Sequence, residues 1–209
     1  MSSLAVAGLT PLSTCDWPGQ LVATVFLQGC PLACTYCHNP ALIDPRTPGS
    51  VGWDEVLDLL GRRRGLLDGV VFSGGEPTRQ HALRDAMVDV RALGYRVGLH
   101  TAGTYPNRLA HVLDLVDWVG LDIKAVPRLY QAQTGVDAWA KAVASLRLVQ
   151  RAGVPVQVRT TVDPTVQTPT DVDELTAILA GLGVDDHVLQ EVRPDGTTAA
   201  YREALSDAR

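Results

Sequence analysis

Apolar residues along this chain fall into two alternating kinds of run. Short stretches rich in β-branched residues recur as "LVATVFLQ" (21–28), "GVVFS" (69–73), "YRVGLHT" (95–101), "WVGLDIK" (118–124), "VQVRTTV" (156–162) and "HVLQEV" (187–192). They are nearly continuous apolar runs, the pattern of parallel strands covered on both faces. Between them the apolar positions take helical spacing. Leu83, Met87, Val90 and Leu93 share one face, as do Leu109, Val112, Leu113 and Val116, and again Trp139, Val143, Leu146 and Val149. Thr170 followed by Asp173 predicts a capped helix start ahead of Val172, Leu175 and Ile178.

Alternating strands and helices predict an α/β fold with a parallel sheet and right-handed crossovers. About six βα units suit an open, partial barrel; the pattern alone leaves a doubly wound sheet open. No repeat, low-complexity tract or composition break divides the chain, so a single domain is expected over residues 1–209, with residues 1–20 as a lead-in segment. "PRTPGS" (45–50) reads as a surface loop.

In such folds ligands bind at the carboxyl ends of the strands. Polar residues gather there: Cys30 after the first strand, "SGGEP" after the second, "HTAG" after the third and "DIK" at the end of the fourth. Four separate stretches are therefore expected on one rim.

Charge narrows the partners. The net charge of −5 argues against a nucleic-acid partner, which needs a basic face. The one dense basic run, Arg62–Arg63–Arg64, reads as the solvated end of a helix. The N-terminus has neither a basic segment nor a long apolar core, and a cytoplasmic location is expected. Cysteines there stay reduced, so a tight cluster of them points to metal or redox chemistry rather than disulfides.

Such a cluster stands at "GCPLACTYCHNP" (29–40), where Cys30, Cys34 and Cys37 fall within eight residues. A structural zinc site wants four ligands, usually in two close pairs. The other cysteine, Cys15, lies fifteen residues earlier, and His38 is adjacent to Cys37, which disfavours both binding one ion. Three cysteines on a four-iron cluster leave one iron open to a substrate. An open iron–sulfur cluster, structural zinc and three metal-free thiols remain as readings of the residues.

CxxxCxxC with Tyr36 before its last cysteine, and "SGGEP" about forty residues on, resembles the signature of radical S-adenosylmethionine enzymes. The resemblance covers essentially the whole chain, and that family's partial (β/α)6 barrel agrees with the strand count. "DWPGQLVATVFLQGCPLACTYCHNP", "LDIK" and "LQEVRP" resemble the short activating enzymes of glycyl-radical proteins. They are most like the activator of anaerobic ribonucleoside-triphosphate reductase.

The resemblance implies that Cys30, Cys34 and Cys37 hold three irons of a [4Fe-4S] cluster, and that S-adenosylmethionine occupies the fourth. It also implies contacts to that cofactor from Tyr36, Cys37 and His38 at the adenine side and from Gly74, Gly75 and Glu76 at the methionine end. Thr101 would reach the ribose, and Asp122 and Lys124, two apart on a strand, the carboxylate and ribose. No acid–base pair is expected, because the cofactor carries the chemistry. The implied reaction is reductive cleavage to a 5′-deoxyadenosyl radical, which takes a hydrogen from a backbone glycine of a partner enzyme. The implied partners are an anaerobic ribonucleotide reductase and a small electron donor such as flavodoxin or ferredoxin.

Related activases can carry an acid where His100 stands, which puts a monovalent-cation site in doubt. Arg159 is either a ligand contact or a barrel-interior charge, and Cys15 reads as a structural thiol. The four tryptophans read as packing residues. Two other readings are a small-molecule enzyme such as a 7-carboxy-7-deazaguanine synthase and a non-catalytic iron–sulfur or zinc-binding protein.

Overall fold

All six expected strands form, each within two residues of its apolar run, in a computed structural model that describes residues 4–208. They are β2 (Val22–Leu27), β3 (Gly69–Gly74), β4 (Arg96–Thr101), β5 (Trp118–Asp122), β6 (Val156–Val162) and β7 (His187–Glu191), all parallel. The lead-in segment adds a strand that the sequence reading did not foresee, β1 (Val6–Ser13), antiparallel to β2. Gly8 and Pro11 obscured its pattern, and Pro is tolerated there because β1 lies at the sheet's edge.

Strand order runs β1-β2-β3-β4-β5-β6-β7. A doubly wound sheet would reverse order at its centre. Here sequence neighbours are spatial neighbours throughout, so right-handed crossovers put the connecting helices on one face and the sheet curls into a partial barrel.

The helices are α1 (Trp53–Arg62), α2 (Leu83–Ala92), α3 (Pro106–Ala110), α4 (Tyr130–Thr134), α5 (Trp139–Ala152), α6 (Pro169–Gly181) and α7 (Ala199–Asp207). The core lies between them and the outer sheet face. Val25, Phe72, Leu99, Leu121 and Val158 point outward onto Leu60, Met87, Leu109, Leu146 and Leu175, all within one buried cluster.

Two local expectations shift. The run Leu109 to Val116 is a five-residue helix followed by a tight turn at Leu113–Leu115, not one continuous helix, although all four apolar side chains are buried. The cap of α6 is Thr168, not Thr170. Its hydroxyl accepts from the Asp171 amide while the Asp171 carboxylate accepts from the Thr168 amide, and Pro169 fills the first helical position, which needs no N–H.

The barrel interior is filled from below by the β1–β2 turn. Trp17 folds inward and stacks on Trp118, with ring centroids 5.5 Å apart. Gly98 of β4 makes room for it: a methyl group there would meet Trp17 at 2.8 Å. The interior is thereby closed at its lower end and open at the strand tips.

Candidate functional site

A cavity of about 750 Å³ opens at the carboxyl ends of the strands. Cys30, Cys34 and Cys37 line one side, and Asp122, Lys124 and Arg159 line it from β5 and β6. Ser73, Gly74, Gly75, His100, Thr101, Tyr36 and His38 complete the part that matters here. The four polar stretches expected on one rim do converge.

All three cysteines are free and partly buried. Burial pushes the Cys30 thiol up to about 12 and raises that of Cys34, the latter opposed by the Lys124 ammonium. Both thiols stay protonated in the metal-free chain, which makes them poor nucleophiles and leaves metal binding to displace their protons. Among the described residues, no three His, Cys, Asp or Glu side chains gather around one ion-sized point. Three thiols on one wall without a fourth donor suit a polynuclear cluster better than a single tetrahedral ion. Cys15 lines the cavity from the β1–β2 turn, is exposed, and lies 3.4 Å from the Ser13 hydroxyl.

The "SGGEP" segment stitches the tip of β3 to the cysteine loop. The Gly75 amide donates to the Leu27 carbonyl at 2.9 Å, and the Glu76 amide donates to the Gly29 carbonyl at 2.9 Å. Gly74 holds φ +117, and a methyl group on it would meet the Leu27 carbonyl oxygen at 2.5 Å; one on Gly75 would meet Cys30 N at 3.1 Å. The close approach these glycines permit in this structure is to the chain's own backbone.

Glu76 stands apart from the cavity. Its carboxylate is fully buried and accepts from the Thr78 hydroxyl (2.6 Å), the Thr101 hydroxyl (2.7 Å) and the Ala102 amide (2.8 Å). It ties β3 to β4, and the Thr101 hydroxyl spends its hydrogen on this tie.

Asp122 accepts from Lys124 Nζ and from Arg159 Nε, each at 3.0 Å. Burial alone would raise its carboxyl; the two cations outweigh burial and hold it far below the usual carboxylate range. Two positive groups against one negative leave net positive charge on this wall, which Arg159 helps to supply. The Lys124 ammonium also lies 5.7 Å from the centre of the Tyr36 ring.

His100 points into the barrel beneath Arg159. Its Nε2 lies 2.6 Å from the Asp16 carbonyl, which only accepts, and 3.1 Å from Arg159 Nη1, which only donates, so the two contacts favour opposite tautomers. Nδ1 is hydrogen-bonded to the Ser73 hydroxyl at 3.2 Å. Burial first, and the Arg159 guanidinium second, lower its pKa to about 4. A base depressed in the folded state stabilises fully above its unfolded value near 6.5, and that stability is lost as pH falls through the folded value. Urea unfolding from pH 7 to 4 should therefore lose on the order of 2–3 kcal/mol that His100→Gln does not lose. Parallel slopes in the two proteins would contradict this.

Sequence reading missed Thr35, Asp163 and Tyr201, which meet beneath the cysteine loop, and gave Trp17 and Asp16 no specific place. The odd "DWPG" was a usable signal for the turn that plugs the barrel. An Asp before Pro at the end of β6 signalled only a turn.

A partial parallel barrel with a thiol-lined cavity at its strand tips defines a class of cofactor-dependent enzyme. The chain belongs to the radical SAM superfamily, whose family model matches residues 24–180. Members of that superfamily are enzymes that use a [4Fe-4S] cluster and S-adenosylmethionine. A Methanocaldococcus jannaschii protein named a glycyl-radical enzyme activating enzyme is 29% identical over 90% of this chain and 80% of its own length. The pyruvate formate-lyase-activating enzyme of Clostridium pasteurianum is 33% identical, over 72% of this chain and 65% of its own length. Among solved structures, Streptococcus suis SuiB bound to S-adenosylmethionine superposes with a TM-score of 0.66 at 15% identity. That match covers 84% of this chain and 40% of SuiB, and it shows the fold alone. No helix among the described residues is long and apolar enough to cross a membrane.

Proposed function

We propose that this chain activates a glycyl-radical enzyme, with an anaerobic ribonucleoside-triphosphate reductase as its partner. The observation that carries the reading is one cavity with three free thiols on one wall and a net-positive Asp122–Lys124–Arg159 group on another. Cys30, Cys34 and Cys37 would hold a [4Fe-4S] cluster, and the positive wall suits the carboxylate of S-adenosylmethionine. When bound, the pair supplies a 5′-deoxyadenosyl radical.

The chain's own residues bind, orient and shield. Gly74 and Gly75 present backbone to the methionine end, beside the loop that carries Cys30. Tyr36 and His38 lie where the adenine would be contacted, and Lys124 and Asp122 face the carboxylate and ribose. Glu76 acts one step back, fixing the Thr101 and Ala102 backbone that borders the cavity. The Trp17–Trp118 stack fills the interior beneath, which limits the entry of solvent from that side. A flavodoxin or ferredoxin is the electron donor the reading calls for.

Relatives named as activating enzymes support this reading, and the "DWPG" and "YCHNP" segments point to the reductase as partner. The test is partner dependence. Reduced and reconstituted, the chain should cleave S-adenosylmethionine slowly alone and transfer the radical once the reductase is added. Brisk cleavage that no glycyl-radical enzyme alters would favour a small-molecule substrate instead.

A further inference from the structure

The loop that carries the three cysteines has no regular secondary structure from Cys30 to Cys37, and its one internal backbone tie is Cys37 N to the Cys34 carbonyl at 3.1 Å. Its shape is therefore set by what it rests on. The Ala33 amide donates to the Thr134 carbonyl at 2.9 Å and the Thr35 amide to the Gln133 carbonyl at 3.0 Å, which anchors the loop backbone on α4. The Cys30 amide donates to the Ile43 carbonyl at 3.1 Å, and a side chain adds a further tie: the Thr35 hydroxyl donates to Asp163 Oδ2 at 2.5 Å.

Asp163 is fully buried at the end of β6 and serves several elements at once. Besides Thr35, Oδ2 lies 3.5 Å from Gln133 Nε2 of α4. Oδ1 accepts from the Tyr201 hydroxyl of α7 at 2.8 Å, the Thr165 hydroxyl at 2.7 Å and the Thr165 amide at 3.0 Å. A carboxylate suits this point because both of its ends accept; an amide would turn two hydrogens toward groups that are themselves donors. Packing repeats the connection, since Cys34 sits against the cluster formed by Tyr36, Val192, Tyr201 and Leu205. Gly196, in the turn before α7, packs on the His38 carbonyl with no room for a side chain.

We propose that Asp163 is the positioning residue of the cysteine loop. It holds Thr35, and so the relative placement of Cys34 and Cys37, while Tyr201 braces the carboxylate from the far side. The proposal rests on reading Cys34 and Cys37 as cluster ligands. It adds that the ligand-bearing loop and α7 form one mechanical unit, joined through Asp163, which lies 128 residues from Thr35 in sequence. Ligating groups need such support, because a site that is present but loosely held works poorly.

The test uses the full chain in two states. In the metal-free protein, iodoacetamide labelling of each cysteine is followed by peptide mass mapping, with exposed Cys15 as internal reference. Thr35→Val and Asp163→Asn should label Cys34 and Cys37 about tenfold faster, the loss of roughly one charge-assisted hydrogen bond from the closed loop. Thr35→Ser keeps the hydroxyl and should label like the parent. After anaerobic reconstitution, the reduced-cluster electron paramagnetic resonance spectrum should change in Thr35→Val and be restored in Thr35→Ser. Unchanged labelling and an unchanged spectrum in Thr35→Val would overturn the proposal. So would equal acceleration at Cys15, which would mean general loosening. If Asp163→Asn does not fold, the Thr35 pair decides alone. A parent chain that takes up no iron would refute the ligand reading, and the labelling would still decide whether Asp163 holds the loop.

Discussion

Replacing Cys30, Cys34 or Cys37 with alanine should each abolish a stable cluster, and with it cleavage of S-adenosylmethionine, while Cys15→Ala keeps both. The expectation follows from placement. The three cysteines share one loop and one wall of the cavity, and Cys15 enters from the turn that plugs the barrel. A four-iron cluster held at three corners loses a third of its protein ligands with each substitution, and no other cysteine lies in that loop to replace one. Iron per chain after reconstitution should fall from roughly four to near zero in the three variants. The absorbance of the cluster and 5′-deoxyadenosine production should vanish with it. Loss of iron in Cys15→Ala, with Cys34→Ala unaffected, would overturn the assignment.

Gly75→Ala should have the second-largest effect, on the fold and the cavity together. The new methyl group would run into the Gly29 carbonyl, with its carbon only 2.7 Å away and Cys30 N at 3.1 Å. These neighbours are backbone, so no side chain can swing aside. Relief requires moving the tip of β3 off the cysteine loop, which strains the Gly75-to-Leu27 and Glu76-to-Gly29 hydrogen bonds. Overpacking of this kind costs about 3 kcal/mol. Because Cys30 moves with its backbone, iron uptake should drop even in the fraction that stays folded. Gly61→Ala, in α1 where nothing lies within 4 Å of the added methyl, is the matched control and should unfold no more easily than the parent. Gly75→Ala that unfolds and binds iron like the parent would show that the β3 tip does not set the loop.

The sheet was legible because its six parallel strands leave nearly continuous apolar runs that local pattern can detect, even in β7, whose last three residues are exposed. β1 was not, because an edge strand with Gly8 and Pro11 breaks the pattern that a covered strand must keep. The helical face at Leu109 to Val116 was read correctly as buried and wrongly as one helix, since spacing reports which side chains go inward and not whether the backbone turn is continuous. At the site, residues that follow a strand directly were legible: Cys30, Gly74, Gly75, Asp122 and Lys124 all reach one cavity by the rule that strand tips converge. Glu76 belonged to the same stretch, yet its side chain turns down to Thr101 and Ala102, an orientation fixed by partners 25 and 26 residues away. Arg159, whose role sequence left open, lines the cavity and donates to Asp122. Asp163 was invisible for the same physical reason at longer range. A hydrogen bond from Thr35 exists only once β6, α4 and α7 have packed, and no periodicity records it.

The most direct measurement of the central claim is electron paramagnetic resonance on the partner, not on this chain. The reconstituted protein, S-adenosylmethionine and a one-electron reductant are mixed anaerobically with an anaerobic ribonucleotide reductase from the same organism. The account predicts a glycyl-radical doublet on the reductase. It should be absent when the reductase's radical-bearing glycine is replaced by alanine, and absent when Cys34→Ala replaces the parent chain. S-adenosylmethionine cleavage that proceeds at full rate while neither this reductase nor any other glycyl-radical enzyme acquires the doublet would contradict it.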